Sequence, residues 1–183
     1  INTKTYGALI CNCNDLLIAD VEVDVENILV PNNCDSIHIL GPCERITLQN
    51  CKLRSEDNVM AINADDIGHE PYGTYVDIVT VRIKGINVNN YDGGQGILLL
   101  SGNHAIRDVI IEDISGEASY LLNLRTFGFG PGNYEDINVK QTSLKWLSIV
   151  GTYLGYIMIN GKYGKVNFKN IHVPLDLLPK AGE

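Results

Sequence analysis

Two aspartates, Asp35 and Asp57, each stand at the entry to a short apolar stretch, Ser36–Leu40 and Asn58–Ile62. When Ile37 and Ile39 are laid beside Met60 and Ile62, the offset is 23 residues, about one coil of a repeating parallel strand. On that register Asp35 lies directly beneath Asn58, with Asp57 one residue to the side. Two carboxylates meeting on one face can divide the roles of acid and base, because the charge of one holds a proton on the other. The competing role is a structural one, since Asp before a strand commonly caps a turn. His38 alternates with Ile37 and Ile39 and so faces outward, where a solvated ring that lines the face is expected. Further along, His69 and Glu70 could pass a proton, and the adjacent Asp65 and Asp66 are weak calcium candidates.

The elements that carry these residues show period-two alternation, and no segment carries a sustained helical stripe, so helix should be nearly absent. One unit recurs six times, with starts at Leu16, Ile46, Val81, Val109, Ile137 and Val166, 28 to 35 residues apart. A second series lies between its copies: Ile37 with Ile39, Met60 with Ile62, Ile97 with Leu99, Leu122 with Leu124, and Ile157 with Ile159. Two interleaved series in fixed order suit a coiled parallel sheet whose alternate residues fill the interior. An immunoglobulin-like sandwich would instead need hairpin turns, which are scarce.

The position closing each copy of the first unit reads Asp20, Asn50, Gly85, Asp113, Gln141 and Asn170. Such residues tolerate left-handed backbone, and stacked amides can hydrogen-bond along the axis, so a sharp corner with an amide ladder is expected there. The longest insertions, Asn63–Tyr75 and Thr126–Asn133, are expected to build binding walls, with Tyr72, Tyr75, Phe127 and Phe129 as sugar-stacking faces. Residues 1–183 are read as one all-β domain of about five to six coils. Pro174–Glu183 adds no coil, and uncovered sheet edges at both ends suggest a fragment of a larger protein or coverage by another subunit.

Composition narrows the partners. An apolar share of 45% with 20% charged residues is that of an ordered globular chain. No apolar run reaches the ~18 residues of a membrane span, and the N-terminal stretch lacks the basic region of a signal peptide. A net charge of −8 argues against nucleic acid, and a polyuronate would need a local cationic patch. The five cysteines, Cys11, Cys13, Cys34, Cys43 and Cys51, form no CxxC pair, and the histidines are scattered, so stacked buried thiols are expected and no metal or cofactor.

Four stretches, taken in order, resemble the motifs of polygalacturonases and related family 28 glycoside hydrolases. Asn33-Cys34-Asp35-Ser36-Ile37-His38-Ile39 resembles their NTDGIDI motif. Glu56-Asp57-Asn58-Val59-Met60-Ala61-Ile62 is similar to their GDDCIAI motif. Gly94-Gln95-Gly96-Ile97 stands in the place of GHGIS, and Asn123-Leu124-Arg125-Thr126 in the place of RIKT. The resemblance covers residues 30 to 140 and implies a right-handed single-stranded parallel β-helix, pectin-lyase-like, acting on a polysaccharide. It makes Asp57 the general acid and Asp35 the water-activating base of an inverting hydrolase, whose carboxyls stand about 6.5–9.5 Å apart. Asn58, Gln95, Asn123, Arg125 and His38 would then orient the sugar. Asn58 replaces an Asp of the family, Gln95 a His, Arg125 a Lys and Asn123 an Arg. Those exchanges favour an alternative, a non-catalytic glycan-binding, tailspike or adhesin β-helix, trimeric in the tailspike case. A secreted, extracellular or virion-surface location follows from either, and a calcium-dependent lyase ranks third.

Overall fold

The computed structural model describes residues 2–3, 6–25, 34–65, 76–90, 94–126, 130–146 and 157–172, and among them there is no helix. The strands are β1 (Asn2–Thr3), β2 (Ala8–Ala19), β3 (Glu22–Val25), β4 (Ile37–Gln49), β5 (Lys52–Ser55), β6 (Met60–Asn63) and β7 (Ile78–Asn90). They continue as β8 (Gln95–Leu100), β9 (Ala105–Ala118), β10 (Tyr120–Arg125), β11 (Asn133–Trp146), β12 (Ile157–Ile159), β13 (Lys162–Tyr163) and β14 (Val166–His172). All 14 belong to one sheet, and every pairing is parallel. Parallel pairing throughout excludes the immunoglobulin-like sandwich, which is built from antiparallel strands.

The register follows the repeats. Leu16, Ile46, Val81, Val109, Ile137 and Val166 pair in one unbroken column. Ile37, Met60, Ile97, Leu122 and Ile157 pair in a second. A third column, absent from the sequence reading, runs Val23, Leu53, Val88, Gly116 and Leu144. The sheet curls so that all three columns face a single core containing Ile37, Ile46, Leu53, Met60, Val88, Ile97 and Leu122. Each such side chain, removed wholly from water, contributes roughly 1.5–3 kcal/mol, and the columns repeat that contribution coil after coil.

Backbone geometry marks the corners. Asp20, Asn50, Gly85, Asp113, Gln141 and Asn170 all have left-handed φ, between 53° and 65°, as expected. The expected amide ladder is absent, because no side-chain hydrogen bond joins these positions among the described residues; instead the Asn50 Oδ1 leans over Gly85, 2.9 Å from where a Cβ would sit. A second left-handed column precedes the first repeat unit at Asp15, Arg45, Thr80, Asp108 and Asp136. Side chains tie it together along the axis. Arg45 donates to both oxygens of Asp15 at 2.5 and 2.9 Å. Arg82 holds both oxygens of Asp108 at 2.8 Å, while Thr80 Oγ1 donates to the same carboxylate at 2.9 Å. The Arg82 guanidinium accordingly keeps the Asp108 carboxyl below its usual range.

Cys34, Cys43 and Cys51 lie in the core, whereas Cys11 and Cys13 are half-buried, and all five are free thiols. Cys13 and Cys43 are register partners, so the expected stacking holds for that pair. Asp66, His69, Glu70, Tyr72, Tyr75, Phe127, Phe129 and Pro174–Glu183 lie outside the described residues.

Candidate functional site

The site residues sit on the outer side of the column that contains Ile37, Met60, Ile97 and Leu122. Asp35 is 1% exposed, and its carboxylate is fully engaged. Oδ1 accepts from the backbone N of Asn58 at 3.1 Å and from Asn58 Nδ2 at 2.9 Å. Oδ2 faces His38 Nδ1 at 2.5 Å. A carboxylate can only accept, so the His38 proton resides on Nδ1, and Nε2 accepts from Asn63 Nδ2 at 3.1 Å. The Tyr6 ring lies over the imidazole, with centroids 4.8 Å apart. Thus His38 is not the solvated ring expected from the alternation; it is 2% exposed and part of a buried network. Alternation sets which face a residue occupies, and here that face is covered.

Asp35 does lie beneath Asn58, and Asn58 is followed on the same stack by Gln95 and Tyr120. The Asn58 rung is fixed by Val59 N donating to the Gln95 carbonyl at 2.8 Å, and Gln95 pairs with Tyr120. Ser55 Oγ adds a hydrogen bond to the Asn58 carbonyl at 2.8 Å. Asp57 is half-buried one residue to the side. Its backbone is clamped, because Asn90 Nδ2 donates to the Asp57 carbonyl at 2.6 Å and Gly94 N donates to Asn90 Oδ1. Only glycine fits at 94, since a Cβ there would fall 2.2 Å from that carbonyl.

Two coils on, Asn123 Nδ2 donates to Gln95 Oε1 at 2.7 Å. Asn123 belongs to the outer column of His38, Ala61 and Leu98. Arg125 is exposed at the end of β10. Its charge reaches Tyr120, where it partly offsets the burial that pushes the phenol pKa up. The structure therefore gathers Asp35, His38 and Asn58 into one network and Gln95 with Asn123 into another.

On the stretch of this face that runs from Asn58 to Tyr120 and Asn123, Asn58 Oδ1, Asn123 Oδ1 and the Tyr120 hydroxyl are buried with no hydrogen-bond partner among the described residues. The Asn58 orientation is settled by chemistry, because its NH2 must face the Asp35 carboxylate and its oxygen is then the atom left over. Unpaired buried groups are few in native proteins, and each one costs about 1–3 kcal/mol.

Reading the sequence missed Tyr120, Asn63 and a second aspartate–histidine pair, Asp65 with His104. Asn63 could have been found, since it follows Leu40 in the register that pairs Ile39 with Ile62. The Asp65–His104 contact spans 39 residues and depends on the shape of a turn, which no strand pattern encodes. The Asp65 oxygens face donors, not a ring of other acids, and no group of three or more His, Cys, Asp or Glu gathers among the described residues. A groove of about 490 Å³ with a mixed polar and apolar lining opens elsewhere, between Asn14, Pro42, Cys43, Glu44, Asp77 and Arg107, and touches none of the candidate site residues.

No protein-family model matches the chain, and neither does any curated protein or solved structure.

Proposed function

We propose that this chain is a right-handed single-stranded parallel β-helix of the polygalacturonase-like kind, and that it binds a polysaccharide across the outer face carrying Asp57, Asn58, Gln95, Tyr120, Asn123 and Arg125. The observation that carries the reading is the set of unpaired atoms on that face, Asn58 Oδ1, Asn123 Oδ1 and the Tyr120 hydroxyl. Sugar hydroxyls are donors and acceptors at close spacing, and they supply what these atoms lack. The atoms lie beneath the surface, so a sugar reaches them by drawing aside the side chains above. Register, all-parallel pairing and the order of the four motif-like stretches support the same reading.

Hydrolysis is a second reading, favoured by the position of Asp57. It is half-buried beside the Asp35–Asn58 rung, where the resemblance places the acid. Asp35 supports that reading less, because a carboxylate that accepts three hydrogen bonds must release one to activate water.

Affinity electrophoresis through gels containing homogalacturonan or a neutral glucan or mannan tests the proposal, with reducing ends assayed in parallel. Retardation by one of them, weakened at least about tenfold in Asn123→Ala, is the expected result. Failure of every glycan to retard the protein overturns glycan binding. Release of reducing ends that is lost in Asp57→Asn selects hydrolysis.

A further inference from the structure

The turn after β8 presents a histidine that neither reading uses. The backbone N–H groups of Ser101, Gly102, His104 and Ala105 are all held by other parts of the chain. Ser101 N donates to the Arg125 carbonyl and to the Tyr134 hydroxyl, both at 3.1 Å. Gly102 N and His104 N both donate to Asp65 Oδ2 at 2.7 Å. Ser101 Oγ donates to the His104 carbonyl at 2.6 Å, and Ala105 N donates to Asp77 Oδ1 at 2.8 Å. The remaining Asp65 oxygen, Oδ1, faces His104 Nδ1 at 2.5 Å.

The consequence for the imidazole is specific. Asp65 accepts three hydrogen bonds and its side chain is 8% exposed, whereas that of His104 is 38% exposed. A buried carboxylate on Nδ1 places the proton there and leaves the lone pair of neutral His104 on Nε2. Nε2 has no partner among the described residues, so this basic nitrogen is free to meet solvent. Four separate segments fix the turn, which is the rigidity a proton-transfer group needs.

We propose that Asp65–His104 is a general-base site that hydrolyses acyl ester substituents on a polysaccharide, with Asp65 as its positioning residue. The bond class follows from what surrounds the base. Among the described residues no Ser, Thr or Cys side chain is hydrogen-bonded to Nε2, and the exposed nitrogen is assigned water as its nucleophile. No second acid stands beside it among the described residues, so the leaving oxygen must depart with the proton the base itself returns. An ester meets that condition, and a glycosidic bond, which needs a separate acid, does not. Nε2 takes a proton from water as the water oxygen bonds to the acyl carbon. The bond from that carbon to the sugar oxygen then breaks, and the imidazolium gives its proton to the sugar oxygen, yielding a free acid and a sugar hydroxyl.

The site takes its polysaccharide from the reading above, and a small ester separates the two ideas. Acetate release from p-nitrophenyl acetate and from an O-acetylated polysaccharide is measured across pH, with glycan retardation followed on the same proteins. Among the described residues the charged groups on the segments that hold the turn are Asp65, the Asp77–Arg107 pair and Arg125, with the Tyr134 phenol beneath. The rate is expected to rise as His104 loses its proton, followed by nuclear magnetic resonance of the ring. His104→Gln, which keeps every backbone bond of the turn, is expected to lower kcat/KM about 100-fold or more with retardation unchanged. Asp65→Asn, which turns the free proton onto Nε2, is expected to lower kcat and displace the pH profile. No acetate release by the unaltered chain from either ester overturns the proposal, as does full activity in His104→Gln. Release from p-nitrophenyl acetate without retardation by any glycan overturns the polysaccharide assignment and leaves the base in place.

Discussion

Removing the Asp35 carboxylate separates a structural role from a catalytic one. In Asp35→Ala, three donors lose their acceptor in a site that is 1% exposed: Asn58 N, Asn58 Nδ2 and His38 Nδ1. The imidazole can move its proton to Nε2 if Asn63 turns its amide, which relieves one of the three. Two stranded donors at about 1–3 kcal/mol each, with the lost charge-assisted bond to histidine, give about 3–5 kcal/mol of destabilisation. Asp35→Asn keeps an oxygen for Asn58 and lets the histidine accept at Nδ1. Its cost is the loss of charge assistance, about 1–3 kcal/mol. Urea unfolding of the two variants, followed by fluorescence, measures both numbers. If Asp35→Ala unfolds within about 0.5 kcal/mol of the unaltered chain, the network is not what Asp35 is for. Combined with lost glycan cleavage, that result would restore Asp35 as the catalytic base.

Two further outcomes follow from the backbone and the core. Gly116 has φ of 109°, and a Cβ there would lie 1.9 Å from the Val88 carbonyl oxygen, so Gly116→Ala should lose about 3 kcal/mol or more in urea unfolding. Gly164→Ala, whose nearest contact would be 3.7 Å, should stay within about 0.5 kcal/mol as its control. Burial pushes the Tyr134 phenol well above its ordinary value, so the folded chain favours the neutral form. That contribution is fully present below the unfolded tyrosine value of about 10 and is lost as pH rises beyond it, by up to about 1.4 kcal/mol per pH unit. Tyr134→Phe should be about 1–3 kcal/mol less stable at neutral pH, and the gap should narrow in urea titrations above pH ~10.

The strand register was legible because it rests on side-chain alternation, which the Leu16 and Ile37 series carry in plain view. The left-handed corners at Asp20 through Asn170 were legible for a similar reason, since residues that tolerate that backbone recur at one position. The second left-handed column was not, because Arg45 and Thr80 are poor signals for such backbone and interrupt the aspartates at 15, 108 and 136. Stacking of Asp35, Asn58 and Gln95 could be read from register alone. The burial of His38 could not, because alternation assigns a face and says nothing of what lies over it. His104 stayed hidden because its partner is supplied by a turn on another coil, not by a neighbouring strand residue.

The unbroken Leu16–Val166 column makes the fold a one-dimensional stack, in which each layer is stabilised by the layers on either side. Among the described residues β14 pairs with β11 alone, whereas β9 is flanked by β7 and β11. Residues of β14 are correspondingly less buried than those of β9, which occupies the same columns two layers away. Amide exchange should therefore be slower at Val81 and Val109 than at Val166. The networks around Asp35 and His104 hang from interior layers, so fraying at that edge can proceed without disturbing either one.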